Sequence, residues 1–185
     1  MNNKLFLTLL LILGLASCQK PEARRPISRS SGSYIELSAE RNKELYGQEK
    51  QYLQELASRD TVLEFLSSPN GFWYANISSD TIGSATPKVG DLVRFSYDIR
   101  SLEGDTLVAR VENGLISYRI DQSNQELISG IREGLKVMKA GDVTEFLFPS
   151  YQAYGYYGLQ GKIEPNQMVR STIELYTVNE DSLNN

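Results

Sequence analysis

The stretch Ser123-Asn-Gln-Glu-Leu-Ile-Ser-Gly-Ile-Arg-Glu-Gly134 decides the fold, because it predicts one short helix inside a run of strand patterns. Ser123 and Glu126 stand at the spacing of a capping box, in which two side chains satisfy backbone N–H groups of the first turn. Gly134 suits the C-terminal end of a helix. The apolar face of this helix consists of Leu127, Ile128 and Ile131. A short amphipathic helix needs another layer of structure to cover such a face.

Strand patterns lie on both sides of the helix. Apolar residues alternate with polar ones at Val93, Phe95, Tyr97 and Ile99, and again at Ile116, Tyr118 and Ile120. This period of two is typical of strands with one buried face. Further predicted strands cover residues 72–77, 106–111, 143–148 and 168–178. We therefore predict an α+β domain, in which an antiparallel β-sheet wraps around one short helix.

An additional helix is predicted before this domain, over residues 38–57, with Ser38 as its N-cap. Its apolar stripe consists of Leu45, Tyr52, Leu53 and Leu56. Such a stripe must be buried either against the domain of its own chain or against the same helix of a second copy in a homodimer. The sequence favours neither of these two arrangements. Residues 60–68 fit either a last helical turn or a short strand.

The first eighteen residues have the pattern of an export signal. Lys4 precedes an apolar run over residues 5–15, which has 11 residues and is too short to span a bilayer. The order Leu15-Ala-Ser-Cys18 resembles the lipobox of bacterial lipoproteins. That resemblance implies cleavage before Cys18, attachment of lipid to Cys18, and a membrane-anchored protein at the cell envelope. It would face the periplasm, with the outer membrane favoured over the inner. The alternative is an ordinary secretory signal with a coincidental cysteine.

The composition excludes several kinds of chemistry. The 185 residues contain no histidine and one cysteine, with a formal net charge of −4. A Ser-His-Asp or Cys-His nucleophile and an imidazole metal ligand are therefore excluded, as is a disulfide within the chain. The mild acidity gives no reason to expect a nucleic-acid partner. Four of the eleven tyrosines lie between Tyr151 and Tyr157, in a predicted loop. From composition alone, these tyrosines most often cover the edge of a core.

Residues 88–175 resemble an FKBP-type peptidyl-prolyl isomerase domain in five motifs that occur in family order. These motifs are Val89-Gly90-Asp91 with the strand to Tyr97, the helix within residues 126–138, Gly141-Asp142, Phe148-Pro149 through Ala153-Tyr154-Gly155, and Ile163-Glu-Pro165-Asn166 with Ile173-Glu174-Leu175. The whole chain resembles the gliding-motility-associated FKBP-type lipoproteins of the Bacteroidetes. The chain then divides into a signal (1–17), a lipidated Cys18 with a flexible tether (18–37), a helical segment (38–68), the FKBP-type domain (69–178) and a tail (179–185).

The resemblance implies a proline-binding site that needs no cofactor and no metal. It assigns catalytic roles to Tyr97, to the backbone N–H of Ile128 and to the hydroxyl of Tyr154. It assigns substrate binding to Leu107, Leu127, Ile131, Ile163 and Ser171. The family usually has aromatic residues at three of these positions, Leu107, Ile131 and Ser171. We expect the proline-binding pocket to be wider and wetter at these positions, and proline binding and isomerisation to be weaker.

The resemblance also implies a function. The chain is expected to be a peptidyl-prolyl cis-trans isomerase that assists the folding of exported or envelope proteins, with proline-containing polypeptides as clients. The alternative is a catalytically weak chaperone or binding module that kept the fold.

Overall fold

The computed structural model describes residues 32–79, 85–122 and 126–179. The chain forms two compact units, Met1–Leu37 and Ser38–Asn185. Only the start of a helix is described in the first unit, and the second unit contains the sheet. The predicted signal, Cys18, most of the tether, the Ser123 cap and residues 180–185 lie outside the described residues. Among the helices of the described part, none is both long and apolar enough to cross a bilayer.

The described strands form one antiparallel sheet, which confirms the predicted fold class. Its strands are β1 (Leu66–Ser67), β2 (Trp73–Ser79), β3 (Leu92–Tyr97), β4 (Ile99–Arg100), β5 (Thr106–Val108), β6 (Ile116–Arg119), β7 (Asp142–Phe148) and β8 (Val169–Val178). The spatial order is β1-β2-β7-β8-β3-β6, and β4 pairs with both β5 and β8. The register places Phe146 opposite Ser171 and Phe95 opposite Leu175. The long strand β8 therefore joins the two halves of the sheet.

Three α-helices and two 3-10 turns complete the described part of the chain. They are α1 (Gly32–Arg59), α2 (Arg110–Asn113), α3 (Ser129–Leu135), η1 (Ser150–Gln152) and η2 (Gly155–Tyr157). The strand predicted over residues 106–111 ends at Val108, and α2 follows it. The main core lies where one face of the sheet packs against α3, and it includes Phe95, Ile131, Phe146, Phe148 and Ile173.

The central helix α3 is shorter than predicted. It begins at Ser129, so that Leu127 and Ile128 precede it, and Gly134 lies inside it rather than at its end. The physical reason is packing against β7. A Cβ on Gly130 would lie 2.6 Å from Cδ1 of Phe148, and one on Gly134 would lie 3.0 Å from Cε1 of Phe146. The glycines therefore permit close approach of helix and sheet, which the prediction of a C-terminal stop missed.

Helix α1 begins six residues earlier than predicted, at Gly32, so Ser38 is not its N-cap and residues 32–37 are helical rather than flexible. Its buried stripe also differs from the prediction, because Tyr52 is 49% exposed whereas Glu49 is buried. Leu53 packs against Trp73 and Leu147 in a second apolar cluster. Since Leu147 alternates with the core residues Phe146 and Phe148 along β7, this cluster lies on the other face of the sheet. Leu53 is thus buried against its own chain, and the homodimer stays a prediction.

Candidate functional site

Seven of the eight residues predicted for the proline site belong to the main core or pack against it. Three of them, Tyr97, Ile131 and Ile163, are buried members of the core. Four more are partly buried and pack against that core: Leu107, Leu127, Ile128 and Tyr154. We call this set the apolar wall. It combines side chains from two strands, one helix and three loops, so only the folded chain assembles it.

Tyr97 is the last residue of β3 and one of the buried members of the wall. Its side chain is 8% exposed, and its ring stacks on Phe95 with centroids 6.0 Å apart. Burial raises the pKa of the Tyr97 hydroxyl to about 12, and the neighbouring Tyr154 hydroxyl adds to this rise. The backbone is held as well, since Asn113 Nδ2 of α2 donates to the Tyr97 carbonyl at 3.0 Å. Sequence reasoning missed Asn113, for which no motif gave a signal.

Ile128 occupies the position just before α3. Its backbone is extended, with φ −57° and ψ 147°, and its carbonyl accepts the N–H of Arg132 at 3.3 Å. The carbonyl therefore starts the helix, whereas the Ile128 N–H stands outside the helical ladder. An N–H at this position has no acceptor within the helix, which suits the bonding of a substrate carbonyl. This is the role that the family resemblance implies.

Tyr154 lies between the two 3-10 turns, next to Gly155. Burial raises the pKa of its hydroxyl, which therefore stays protonated at neutral pH and is able to donate a hydrogen bond. Gly155 takes φ +57°, and its carbonyl accepts the N–H of Asn166 at 2.8 Å. This bond ties the Tyr154 loop to the following loop.

Ile163 is placed by a tight loop that closes on itself. Leu159 and Ile163 exchange two backbone hydrogen bonds, each 2.8 Å long. Gly158 has φ +62°, and a Cβ there would lie 2.3 Å from the Ile163 carbonyl oxygen. Leu159 and Ile116 also pack against the core beside the wall. Sequence reasoning named neither as a site residue. The signal for Leu159 was an apolar residue between glycines, and Ile116 had been placed only on a strand.

Ser171 does not belong to the apolar wall. Its side chain is 0% exposed, and its hydroxyl donates to the carbonyl of Asp98 at 2.7 Å. It follows the inward alternation of Val169, Ile173 and Leu175 along β8. The serine hydroxyl is thus bonded to the backbone and buried, and the expected wetter pocket stays a prediction.

The arrangement supplies apolar contact and hydrogen-bond donors rather than acid–base chemistry. The seven side chains of the wall are aliphatic or phenolic, and both phenols are protonated at neutral pH. In residues 32–79, 85–122 and 126–179, no group of acidic or cysteine side chains could hold a metal ion. Such a wall can bind an apolar ring and orient adjacent carbonyl groups.

Comparisons with known proteins identify the family. The family model of the FKBP-type peptidyl-prolyl cis-trans isomerases matches residues 83–176. FK506-binding protein 1 of Saccharomyces cerevisiae is 29% identical over 108 residues, covering 56% of this chain and 94% of the yeast protein. FK506-binding protein 1 of Candida glabrata is 29% identical over 97 residues, covering 52% of this chain and 84% of that protein.

Solved structures show the same fold. The crystal structure of FkpA from Escherichia coli aligns with a TM-score of 0.57 at 22% identity, covering 97% of this chain and 74% of FkpA. A peptidyl-prolyl cis-trans isomerase from Pseudomonas syringae aligns with a TM-score of 0.57 at 21% identity, covering 75% of this chain and 96% of that one.

Proposed function

The chain belongs to the FKBP-type peptidyl-prolyl cis-trans isomerase family, and we propose that it catalyses the cis-trans isomerisation of X–Pro bonds in other polypeptides. The observation that carries the proposal is the apolar wall, in which Tyr97, Ile128 and Tyr154 lie against one buried core. Within this set, the Ile128 N–H and the Tyr154 hydroxyl are the two hydrogen-bond donors that the proposed reaction would use.

The reaction needs little beyond this wall. Amide resonance gives the X–Pro bond a rotational barrier of about 18–20 kcal/mol. The twisted transition state loses this resonance and part of its polarity, so a dry apolar surface favours it over the planar ground state. The Ile128 N–H and the Tyr154 hydroxyl would hold the flanking carbonyl groups while the bond turns. No proton is transferred, which agrees with a chain that has no histidine.

A second candidate function is a binding module with little catalysis. Two tyrosines next to Tyr154 favour it, since Tyr156 is 70% exposed and Tyr157 is 88% exposed. Their rings contact each other edge-on, with centroids 5.4 Å apart. Exposed aromatic pairs of this kind bind extended polypeptide through apolar contact.

We place the protein at the cell envelope, with exported polypeptides as its clients. Support comes from the sequence of residues 1–18, where a charged start, an apolar run and Cys18 follow the order of a lipoprotein signal. Lipid on Cys18 would anchor the protein to a membrane. The resemblance of the whole chain to gliding-motility-associated lipoproteins supports clients within that machinery.

The test compares Tyr154→Phe with the matched variant Tyr157→Phe, whose ring is outside the wall. Tyr154→Phe removes one hydrogen bond, so we expect kcat/KM on a short X–Pro peptide to fall about fivefold, as loss of roughly 1 kcal/mol implies. Tyr157→Phe should leave peptide turnover unchanged. Refolding of a protein limited by proline isomerisation serves as the second substrate. No turnover in either assay, from folded wild-type protein, would support the binding module instead.

A further inference from the structure

A buried carboxylate lies outside the apolar wall, on helix α1. The side chain of Glu49 is 4% exposed, and both of its oxygens are bonded to one residue. Its Oε2 accepts the backbone N–H of Ser150 at 2.9 Å, and its Oε1 accepts the Ser150 hydroxyl at 2.6 Å. Burying a carboxylate is costly unless its oxygens are hydrogen-bonded. These two bonds therefore explain how the Glu49 carboxylate can be buried, and they make its burial depend on Ser150.

Ser150 controls the loop that carries Tyr154. It is fully buried and is the first residue of η1, four positions before Tyr154. The turn is closed locally, since the Ser150 carbonyl accepts the N–H of Ala153 at 3.0 Å and the Pro149 carbonyl accepts the N–H of Gln152 at 3.0 Å. A group that fixes Ser150 thus fixes the turn from which Tyr154 leaves.

The same loop is held at two further points near the wall. The Gln152 side chain donates to the carbonyl of Asn70, in the turn before β2. The Ser129 hydroxyl donates to the Gln152 carbonyl at 3.4 Å, and Ser129 directly follows Ile128. Glu49 is the anchor from α1, which also reaches the loop through Tyr46, whose ring centroid lies 4.6 Å from that of Tyr151.

We propose that Glu49 is a positioning residue, whose carboxylate holds the turn at Ser150 and thereby sets the place of the Tyr154 hydroxyl against the Ile128 N–H. The effect on catalysis rests on the proposed function, whereas the effect on the loop does not. The amino-terminal helix is thus part of the catalytic domain's architecture rather than only a spacer.

The chemistry of the contact requires a carboxylate of this length. Both Glu49 oxygens accept bonds, and both Ser150 groups donate them. In Glu49→Gln the side chain keeps its volume, its Oε1 can accept the Ser150 N–H, and its NH2 group can donate to the Ser150 hydroxyl oxygen, so both contacts become neutral hydrogen bonds. Hydrogen bonds to an ionised acceptor are about twice as strong as neutral ones, so both bonds weaken.

The experiment compares Glu49→Gln and Ser150→Ala with two controls. Glu44→Gln changes an exposed carboxylate on the same helix, and Leu53→Ala loosens the packing of α1 without removing the Ser150 contact. The first measurement is kcat/KM on an X–Pro peptide, at a temperature where every variant is folded. The second is hydrogen exchange of the backbone amides in residues 149–157.

We expect Glu49→Gln and Ser150→Ala each to lower kcat/KM by about three- to tenfold and to speed amide exchange in residues 149–157. The double variant should lose less than the sum of the two single losses, because Ser150→Ala removes the hydroxyl bond and Glu49→Gln weakens that same bond. Glu44→Gln and Leu53→Ala should stay within about twofold of wild type, as expected for changes with no shared partner at the loop.

Two results would overturn the proposal. One is a Glu49→Gln variant whose loop exchanges as slowly as that of Glu44→Gln. The other is a Leu53→Ala variant that loses as much activity as Glu49→Gln at equal loss of stability, since Glu49 would then act only through stability. If wild-type protein turns over no peptide, the proposed function fails, and the exchange measurement still decides whether Glu49 holds the loop.

Discussion

At the scale of single residues, the two phenols of the apolar wall show how burial prepares a side chain for its role. Tyr97 and Tyr154 both have raised pKa values, and burial is the main cause in each. Both hydroxyls thus remain donors over the whole physiological pH range. Neither is suited to act as a base, and the family's reaction requires none.

The first prediction concerns the pH dependence of activity. The pKa of Tyr97 is raised to about 12, that of Tyr154 is raised above its ordinary value near 10, and the chain contains no histidine. No group of the wall titrates between pH 6 and pH 9, so kcat/KM on an X–Pro peptide should be flat over that interval. A change in kcat/KM with a midpoint near pH 7 would show that an ionisable group takes part in the reaction.

The raised pKa of Tyr97 also predicts how the stability of the protein changes in alkaline solution. Unfolded tyrosine ionises near pH 10, whereas folded Tyr97 holds its proton to about pH 12. Between these values the folded state binds more protons than the unfolded state, so the free energy of unfolding falls as pH rises. Denaturation in urea between pH 9 and pH 11.5 should show this fall, and Tyr97→Phe should reduce it. An equally steep fall in Tyr97→Phe would assign the effect to other groups.

At the scale of elements, the contact between α3 and β7 depends on two residues without side chains. Gly130 allows the helix to lie on the Phe148 ring, and Gly134 does the same at Phe146. The two rings stack on each other with centroids 5.3 Å apart, so they form one surface. This surface determines how closely α3 approaches β7, and it therefore also determines the position of Ile128.

We therefore predict opposite effects for two glycine-to-alanine changes. In Gly130→Ala the new Cβ would lie 2.6 Å from Phe148, and such overpacking costs about 1–3 kcal/mol. In Gly47→Ala, on α1, nothing lies within 4 Å of the new Cβ, and the gain in helix propensity is about 1 kcal/mol. Chemical denaturation of both variants measures the difference. A neutral or stabilising Gly130→Ala would show that the helix does not need this close approach.

The strands were predictable because their alternation reflects one buried face, and Val93, Phe95 and Ile99 are indeed fully buried. The ends of α3 could not be predicted, because the sequence does not distinguish a glycine at a contact between helix and sheet from a glycine at a helix end. Glu49 was missed for a related reason. A glutamate within a charged helix is normally solvated, and only the fold brings Ser150 to it from 101 positions away.

In the whole molecule, the two faces of the sheet are covered by different helices. The main core with α3 lies on one face, and the cluster of Leu53, Trp73 and Leu147 joins α1 to the other. Beside this cluster, the buried Glu145 forms ion pairs with Arg100 and Arg170. The family model begins at residue 83, so helix α1 and strands β1 and β2 lie before the matched region. The domain that these elements complete is larger than the motifs alone indicated.

Six of the seven wall residues lie in motifs that could be read from the sequence, whereas Leu107 lies in none of them. The hydrogen bond of Ser171 could not be predicted, since its bond to the Asp98 carbonyl depends on the pairing of β8 with β3 and β4. Leu159 packs against the core beside the wall, and the loop closure that places it shows no periodic pattern. Strand pairing decided the place of Ser171, and a short loop decided that of Leu159.

The most direct test of the central claim is catalysis of cis-to-trans isomerisation in a short X–Pro peptide, measured for wild type, Ile128→Asp and Val62→Asp. Ile128→Asp puts a charge on the apolar wall, whereas Val62 is 87% exposed and lies outside it. We expect clear turnover by wild type and Val62→Asp, and a loss of at least about 100-fold in Ile128→Asp, since burying an unpaired charge is strongly unfavourable. Unchanged turnover in a folded Ile128→Asp variant, or none in folded wild type, would contradict it.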